Sequence, residues 1–293
     1  MRYTFQDFVS EYATDEACLD KIMELRHGHE SACPNPDCGK ATKFHRITKR
    51  RAYACQHCGH HVYPCAGTPF EKSRTSLQKW FFAMYLFTAS RNGVAAKELQ
   101  RQLGVTYKTA WRMAHELRKL MAQSDDHEPL SGHVEMDETF VGGKQKRGKF
   151  AGPTNKTTVF GMVQRDGSVR AGPVPNAASR TLHPHICMNV VRGSTISTDK
   201  WRAYDSLKEI GYKHGSVDHS KKQWVKGEHH TNTIENFWGQ IKRSIKGTHI
   251  HVSRKHLWKY ISEFSFRYNL RKEPELMFPS LLYGLRLPRL ADD

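Results

Sequence analysis

Long hydrophobic runs are absent from this sequence. The longest apolar stretch spans residues 80–87, whereas a membrane-spanning helix needs roughly 18 or more apolar residues in succession. The first residues, MRYTFQDFVSEY, lack the apolar core of a signal peptide. We therefore expect a soluble intracellular protein located in the cytoplasm.

Acidic residues are scarce relative to basic ones. The chain has 29 Asp and Glu against 46 Lys and Arg, which gives a formal net charge of +17. This excess favours a polyanionic partner such as nucleic acid, although an ordinary basic soluble protein has a similar composition. With 293 residues, of which 38% are apolar, the chain is long enough for two or three small domains with their own cores, so it is not a disordered tail.

The spacing of the seven cysteines argues against disulfides. Four of them form two clusters, CPNPDC and CQHC, each followed by a glycine that can adopt the positive φ of a metal-binding knuckle. This spacing predicts a zinc ribbon in which four thiolates bind one Zn2+ ion. The predicted ligands are Cys33, Cys38, Cys55 and Cys58. Residues 39–54 suit a hairpin, with 45–55 as one strand and 60–68 as the next.

The first cysteine cluster has four intervening residues instead of the commoner two, which leaves other ligand sets open. The nearby substitutes are His57, His60, His61 and Cys65. The remaining cysteines, Cys18 and Cys187, have no spaced partner, and we expect both to be buried thiols.

Residues 95–121 have the pattern of a helix, a tight turn and a second helix, with Gly104 at the break. The predicted inward stripe of the second helix is Ala110, Trp111, Ala114 and Leu117. The residues predicted to face away, where a recognition helix meets base edges, are Tyr107, Lys108 and Arg112. The pattern therefore favours a DNA-reading helix-turn-helix, with a plain three-helix bundle as the alternative.

From about residue 133 the pattern changes to β. Three strands (133–142, 157–167, 168–175) are followed by a helix (179–191), a strand (194–199), a helix (203–211), a strand (212–220) and a longer helix (233–245). The order βββαβαβα is that of an RNase H-like fold. The fold class is therefore α+β multidomain, with an N-terminal zinc ribbon, a helical helix-turn-helix-like segment and a C-terminal RNase H-like α/β catalytic domain.

Three acids reach one sheet edge in this order. Asp137 falls on the first strand, Asp199 ends the fourth, and Glu235 lies on the closing helix, with thirty-five residues between it and Asp199. Carboxylates are hard ligands, and two divalent ions roughly 3.5–4 Å apart can activate a water or 3'-hydroxyl and stabilise a leaving oxygen. The three acids therefore predict a two-metal phosphoryl-transfer site that cuts and rejoins DNA.

Other acids compete with these three. On a strand, Glu135 shares a face with Asp137 and is expected to support it, whereas Glu138 points to the opposite face. Asp205 is expected to be structural. Asp218 and His219 are expected to line the site.

The closing helix presents a functional face. Glu235, Trp238 and Lys242 are spaced i, i+3 and i+7, so Lys242 can approach a phosphate beside the metal ions. We expect Trp238 to pack. Residues 142–156 are glycine-rich with four lysines and one arginine, which predicts a mobile loop near the phosphates.

From about residue 15 to 270 the chain resembles a bacterial insertion-sequence DDE transposase of the zinc-ribbon type, insertion-sequence family 1595. The resemblance rests on CPNPDCGK, CQHCGHHVYPCAGTPFEKSRTSL, VEMDETFVGG, STDKWRAYDSL and, most specifically, HTNTIENFWGQIKRSIKGTHIHVSRKHLWKYISEFSFRYN. It implies an RNase H-like core, transesterification that depends on Mg2+ or Mn2+, recognition of terminal inverted repeats in double-stranded DNA, and a place at the bacterial nucleoid.

The resemblance also implies roles for individual residues. On that pattern the catalytic acids are Asp137, Asp199 and Glu235. Lys242 is the basic residue that follows Glu235 by seven positions. Because some relatives use asparagine as the third ligand, Asn232 and Asn236 are alternates to Glu235. We expect Lys242, Arg243 and Lys246 to neutralise phosphate. Synapsis of two DNA ends implies a homo-oligomer.

The domain boundaries follow from these assignments. We place the N-terminal helix and ribbon at 1–70, the helical DNA-binding segment at 71–128, the catalytic domain at 129–285 and a tail at 286–293. Two other functions remain open: a DNA-binding regulator with an inactive core, and a nuclease that cuts without joining.

Overall fold

The computed structural model describes residues 3–125, 128–142 and 156–290, which divide into two compact units. The first unit contains residues 3–124 and 273–290, and the second contains the described part of 125–272. Residues 273–285, which the sequence assigned to the catalytic domain, therefore pack within the first unit. Most of the predicted loop at 142–156 lies outside the described residues. Across the described ranges, no helix is long and apolar enough to cross a membrane.

The first unit is mainly helical. Its helices are α1 (Phe5–Glu11), α2 (Asp15–His27), α3 (Leu77–Ala89), α4 (Ala96–Leu103), α5 (Tyr107–Gln123) and α9 (Met277–Tyr283). Thr14 caps α2 by accepting a hydrogen bond from the Ala17 amide. The centre of the unit is α3, whose Trp80, Phe81 and Phe87 are completely buried.

A small antiparallel sheet carries the ribbon. Its strands, β1 (Phe44–Arg46), β2 (Tyr53–Cys55) and β3 (His61–Val62), are paired in the order β1-β2-β3. The prediction of one strand over 45–55 is wrong, because the chain reverses after Arg46 and the two short strands pair with each other. Lys49, at φ 67°, lies in this turn.

Helices α4 and α5 are joined by a three-residue turn. Gly104 takes the left-handed conformation there (φ 59°, ψ 42°), which is where the sequence placed the break. Thr106 then caps α5. Ala110, Ala114 and Leu117 are buried as predicted.

Two of the side-chain orientations predicted for α5 are wrong. Trp111, predicted to point inward, is exposed and contacts the ring of His115. Arg112, predicted to face away, is half-buried: its guanidinium lies 5.3 Å from the centre of the Trp80 ring and donates a hydrogen bond to Ser73. The aromatic surface of α3 attracts this cation, a tertiary contact that the spacing on α5 does not reveal.

The C-terminal residues of the first unit are fixed to α5 by charge. Glu116 is buried, and both of its carboxylate oxygens accept hydrogen bonds from Arg289, at 2.9 and 2.8 Å. Lys119 lies 3.0 Å from the same carboxylate and also donates to the carbonyl of Leu290. The buried acid on α5 is therefore paired both with Lys119 on its own helix and with Arg289 from the C-terminal residues.

The second unit is built on a mixed five-stranded sheet. Its strands are β4 (His133–Val141), β5 (Thr157–Gln164), β6 (Val169–Val174), β7 (Thr195–Asp199) and β8 (Lys213–Val217), in the order β6-β5-β4-β7-β8. The pairs β4·β5 and β5·β6 are antiparallel, and β4·β7 and β7·β8 are parallel. Its helices are α6 (Ser179–Asn189), α7 (Asn232–Ser244) and α8 (Leu257–Asn269).

Each face of this sheet has its own hydrophobic core. On one face, Val134 and Met136 of β4 pack with Leu182 and Ile186 of α6. On the other, residues of β4 and β5 pack against the apolar sides of α7 and α8. The element order agrees with the predicted βββαβαβα order except at 203–211, where the predicted helix is a single 3-10 segment over residues 202–207.

Gly161 on β5 provides the space for Trp238. Gly161 pairs with Asp137 across the sheet, and a Cβ at this position would lie 2.5 Å from the Trp238 ring. Because a strand glycine otherwise weakens a sheet, this close approach explains its presence.

We expect Gly161→Ala to lower the free energy of unfolding of the second unit by about 1–3 kcal/mol, because the ring and α7 must shift. Gly172→Ala on β6 is the matched control, since a Cβ there meets open space. Chemical denaturation followed by Trp fluorescence measures both. Equal stability of the two variants would contradict this account of the packing.

Candidate functional site

Asp137 and Asp199 lie side by side where two parallel strands part. The β4·β7 pairing runs from His133↔Thr195 to Glu135↔Ser197, and the same register continued by two residues sets Asp137 opposite Asp199. Beyond Glu135, β4 continues to pair with β5, and β7 ends at Asp199. The two carboxylates therefore meet at the opening between the strands, as the sequence predicted.

Glu138 joins these two acids. One carboxylate oxygen from each of Asp137, Glu138 and Asp199 lies within 4.8 Å of the others. Tyr204, completely buried and just beyond β7, donates a 2.6 Å hydrogen bond to Glu138. Sequence reasoning missed Glu138 because it relied on strand alternation, whereas a long side chain at the end of a strand ladder can reach around the edge. The signal available in the sequence was a second acid directly after the first on the same strand.

Glu235 approaches the same region from α7. Its side chain is 45% exposed, accepts a 2.7 Å hydrogen bond from the Thr231 hydroxyl, and lies 3.4 Å from Nε2 of His219. The charge of Glu235 contributes to raising the pKa of both Asp137 and Asp199. Its alternates, Asn232 and Asn236, are also exposed on α7.

Trp238 links α7 to the acids. Its ring is buried, as predicted, and its Nε1 donates a 3.0 Å hydrogen bond to Oδ2 of Asp137. Glu135 has a different environment: it is completely buried and contacts the first turn of α7. Asp205 is exposed. Asp218 forms an ion pair with Lys200 at 3.3 Å.

The residues predicted to contact DNA occur in both units. In the second unit, Lys242 and Arg243 are exposed in the last turn of α7, and Lys246 is exposed in the π-helical turn Ile245–His249 that follows. In the first unit, Tyr107 and Lys108 are exposed at the start of α5, whereas Arg112 is packed as described above.

The acids repel one another. Burial first, and then the charges of Asp199 and Glu235, raise the pKa of Asp137 to about 7. Burial and the charges of Asp137 and Asp199 raise the pKa of Glu138 to about 7 as well. Burial and Glu235 also raise the pKa of Asp199. A site that penalises its own negative charge in this way is suited to binding a cation.

The donor set fits a hard divalent cation. All the converging atoms are carboxylate oxygens, the ligands that Mg2+ and Mn2+ prefer. Oδ1 of Asp199 is buried and has no hydrogen-bond donor among the described residues. A buried acceptor without a donor is costly, and a cation at this position would satisfy it.

The four predicted cysteines converge in the first unit. The Sγ atoms of Cys33, Cys38, Cys55 and Cys58 all lie within 4.8 Å of one another. Gly39 (φ 52°) and Gly59 (φ 72°) take the positive φ predicted for the two knuckles. The backbone amides of His57 and His60 each point to a sulfur at 3.4 Å. Four thiolates in this arrangement suit tetrahedral Zn2+.

The substitute ligands have other contacts. His57 lies 3.0 Å from the carbonyl of Ala41, His61 contacts the hydroxyl of Tyr63, and Cys65 is buried outside the cluster. A hydrogen bond from Thr42 lowers the pKa of Cys55, which favours the thiolate that a metal requires, whereas burial raises the pKa of Cys33, so a metal ion would have to displace that proton. Of the other two cysteines, Cys18 is buried as expected, but Cys187 is exposed, so that expectation is wrong.

Comparison with known proteins identifies two family domains. Residues 13–61 match the family described as transposase zinc-ribbon domain, and residues 129–269 match the family described as ISXO2-like transposase domain. The first match contains the cysteine cluster, and the second contains the acids.

Two relatives extend the comparison. The chain is 24% identical over 283 residues to "Uncharacterized protein in transposable element ISH50" of Halobacterium salinarum, covering 91% of this chain and 95% of that one. It is 32% identical over 96 residues to "Uncharacterized transposase-like protein" of Haemophilus influenzae, covering 33% of this chain and 76% of that one.

We expect the purified protein to contain about one zinc ion per chain, and Cys38→Ser to lose most of it, because three thiolates leave the tetrahedral site incomplete. Elemental analysis after gel filtration measures the metal content. Cys187→Ser is the matched control, since this exposed cysteine lies outside the cluster. Full zinc content in Cys38→Ser would exclude Cys38 as a ligand.

We expect the metal-free second unit to lose stability as the pH rises from about 4 to about 7. The folded-state pKa values of Asp137 and Glu138 are raised, so the folded protein binds protons more tightly than the unfolded chain, and this advantage disappears as the pH passes the folded values. Thermal unfolding in chelator, at about pH 5 and about pH 8, measures the loss.

The isosteric variant Asp137→Asn should lose less stability over the same interval, and Mn2+ should restabilise the wild type at the higher pH but not this variant. Asp205→Asn, which neutralises an exposed acid outside the cluster, should behave like the wild type. The same pH dependence in Asp137→Asn and the wild type would show that the acids do not repel one another.

Proposed function

Because the chain belongs to the zinc-ribbon transposases of insertion-sequence family 1595, we propose that it binds the terminal inverted repeats of an insertion sequence and catalyses Mg2+-dependent DNA cleavage and strand transfer. The observation that carries this proposal is the meeting of Asp137, Glu138 and Asp199 where β4 and β7 part. The charge of Glu235, which acts on both aspartates, adds a third structural element to the site.

The acids are the proposed metal ligands. Asp137, Asp199 and Glu235 would hold the divalent cations, and Glu138 is a further carboxylate beside Asp137 and Asp199. When bound, the cations supply an activated water or 3'-hydroxyl and stabilise the leaving oxygen. The mixed sheet, with its central β4 and the closing helix α7, supports an RNase H-like core for this chemistry.

The remaining side chains of the proposed site orient the acids or neutralise DNA phosphates. Trp238 fixes the Asp137 carboxylate through its hydrogen bond, and Thr231 does the same for Glu235. Lys242, Arg243 and Lys246 neutralise DNA phosphates. In each step one P–O bond of the DNA is replaced by another, first with water and then with the freed 3'-hydroxyl as nucleophile, so the protein forms no covalent intermediate and needs no nucleotide cofactor.

DNA recognition is proposed for the first unit. The short turn at Gly104 and the exposed start of α5 support a helix-turn-helix in which Tyr107 and Lys108 approach the bases. The zinc ribbon and the net charge of +17 also support DNA as the partner. Joining two element ends requires two sites, so we propose that a homo-oligomer acts in the synaptic complex.

The test uses DNA duplexes copied from the sequences that flank the gene, incubated with purified protein and Mg2+ or Mn2+. We expect the wild type to nick the element end and join the freed strand to a target duplex. Asp199→Asn should lower both products by at least about 100-fold, because a lost ligand costs more than a lost supporting contact. Sizing on a denaturing gel separates the products, and Asp205→Asn should act like the wild type.

Each other outcome identifies a different function. DNA binding without any metal-dependent product would support a regulator with an inactive core. Cleavage without joining would support a nuclease. Equal activity of Asp199→Asn and the wild type would remove this site from the reaction.

A further inference from the structure

Glu135 is a buried acid that is not among the proposed metal ligands. It lies on β4 two residues before Asp137, and its side chain is 0% exposed. Its carboxylate turns toward α7 instead of joining the acid cluster. An ionised group without access to water requires strong partners, so its contacts show what it stabilises.

One oxygen of Glu135 caps helix α7. Oε2 accepts hydrogen bonds from the backbone amides of Thr233, at 2.7 Å, and Ile234, at 3.2 Å. No side chain of α7 itself caps this end: the hydroxyl of Thr231, the residue at the cap position, is directed to Glu235 instead. Strand β4 therefore supplies the negative charge that a helix N-terminus favours.

The other oxygen of Glu135 is held just as firmly. Oε1 accepts from the Thr233 hydroxyl at 2.9 Å and from Nε of Arg165 at 2.9 Å, and Nδ1 of His230 lies 3.0 Å away. The groups that hydrogen-bond this carboxylate, from Thr233, Ile234 and Arg165, are all donors, and an ionised carboxylate is acceptor-only. The hydrogen bonds of Oε1 come from α7 and from Arg165 just after β5, so they tie the start of α7 to the sheet.

We propose that Glu135 is the positioning residue that sets Glu235 against Asp137 and Asp199. Glu235 directly follows the two residues whose amides Glu135 binds. One turn later, Trp238 donates a hydrogen bond to Asp137. Helix α7 is therefore attached to β4 at two points, Glu135 and Asp137, and Glu235 lies between the helix residues that make these contacts. The catalytic meaning of this attachment rests on the proposed function.

The experiment compares Glu135→Gln with Glu263→Gln. Glutamine at 135 directs an amide N–H at groups that are themselves donors. Glu263 is the matched control because it is also a completely buried acid of the second unit, paired with Arg267 at 2.7 Å on α8. Both variants should lower the thermal midpoint of this unit. Only Glu135→Gln should weaken Mn2+ binding, measured by titration below the midpoint, by about 10- to 100-fold.

Kinetics separate positioning from DNA binding. Glu135→Gln should lower kcat for strand cleavage by a similar factor and change KM for the DNA duplex much less, because Glu135 binds the first turn of α7 whereas Lys242, Arg243 and Lys246 lie at and beyond its other end. If Glu135→Gln does not fold, Thr233→Val, which removes the hydroxyl but keeps the amide, should show a smaller loss in the same direction. Thr233→Ser should retain wild-type Mn2+ affinity.

The Mn2+ titration does not depend on DNA chemistry, so two failures can be told apart. A wild type that never cuts DNA, with weakened Mn2+ binding in Glu135→Gln, would refute the proposed function and support the positioning role. A wild type that cuts DNA, with Mn2+ affinity and kcat equal in Glu135→Gln and Glu263→Gln, would overturn the positioning role.

Discussion

Repulsion between carboxylates is the constraint on which the arrangement of the second unit depends. Asp137, Glu138 and Asp199 lie within 4.8 Å of one another, and burial makes their negative charges costlier still. Such a cluster persists in a folded protein only if other contacts prevent the side chains from turning away. The structure supplies these contacts from outside the cluster: Tyr204 holds Glu138, Trp238 holds Asp137 and Thr231 holds Glu235.

The geometry of the sheet also keeps the acids close together. β4 is central, with an antiparallel neighbour on one side and a parallel neighbour on the other. Because β7 ends at Asp199 while β4 continues, the strands open at a defined point. Two hydrophobic cores fix the sheet from both faces, so the opening keeps its shape without help from the acids.

Features set by local spacing could be predicted from the sequence. The four cysteines, the left-handed Gly104 and the adjacency of Asp137 and Asp199 all follow from motif spacing or element order. The errors arise where a contact from elsewhere in the fold decides. Arg112 is held by Trp80 on another helix, and the reach of Glu138 depends on where β7 ends. Strand alternation and helical spacing describe one element at a time, so they do not predict contacts between elements.

The capping of α7 is another feature that a local sequence pattern does not reveal. Thr231 has a residue type that commonly caps its own helix, yet its hydroxyl serves Glu235. The cap comes from a strand residue about a hundred positions earlier, which no local pattern of the helix encodes.

The first unit is made from both ends of the chain. Residues 273–290 return to it after the whole of the second unit, and Arg289 neutralises the buried Glu116 on α5. During synthesis, the ribosome releases α5 long before it releases this partner. While the second unit is being made, the partner present for Glu116 is Lys119 on α5 itself, and the two hydrogen bonds from Arg289 can form only later.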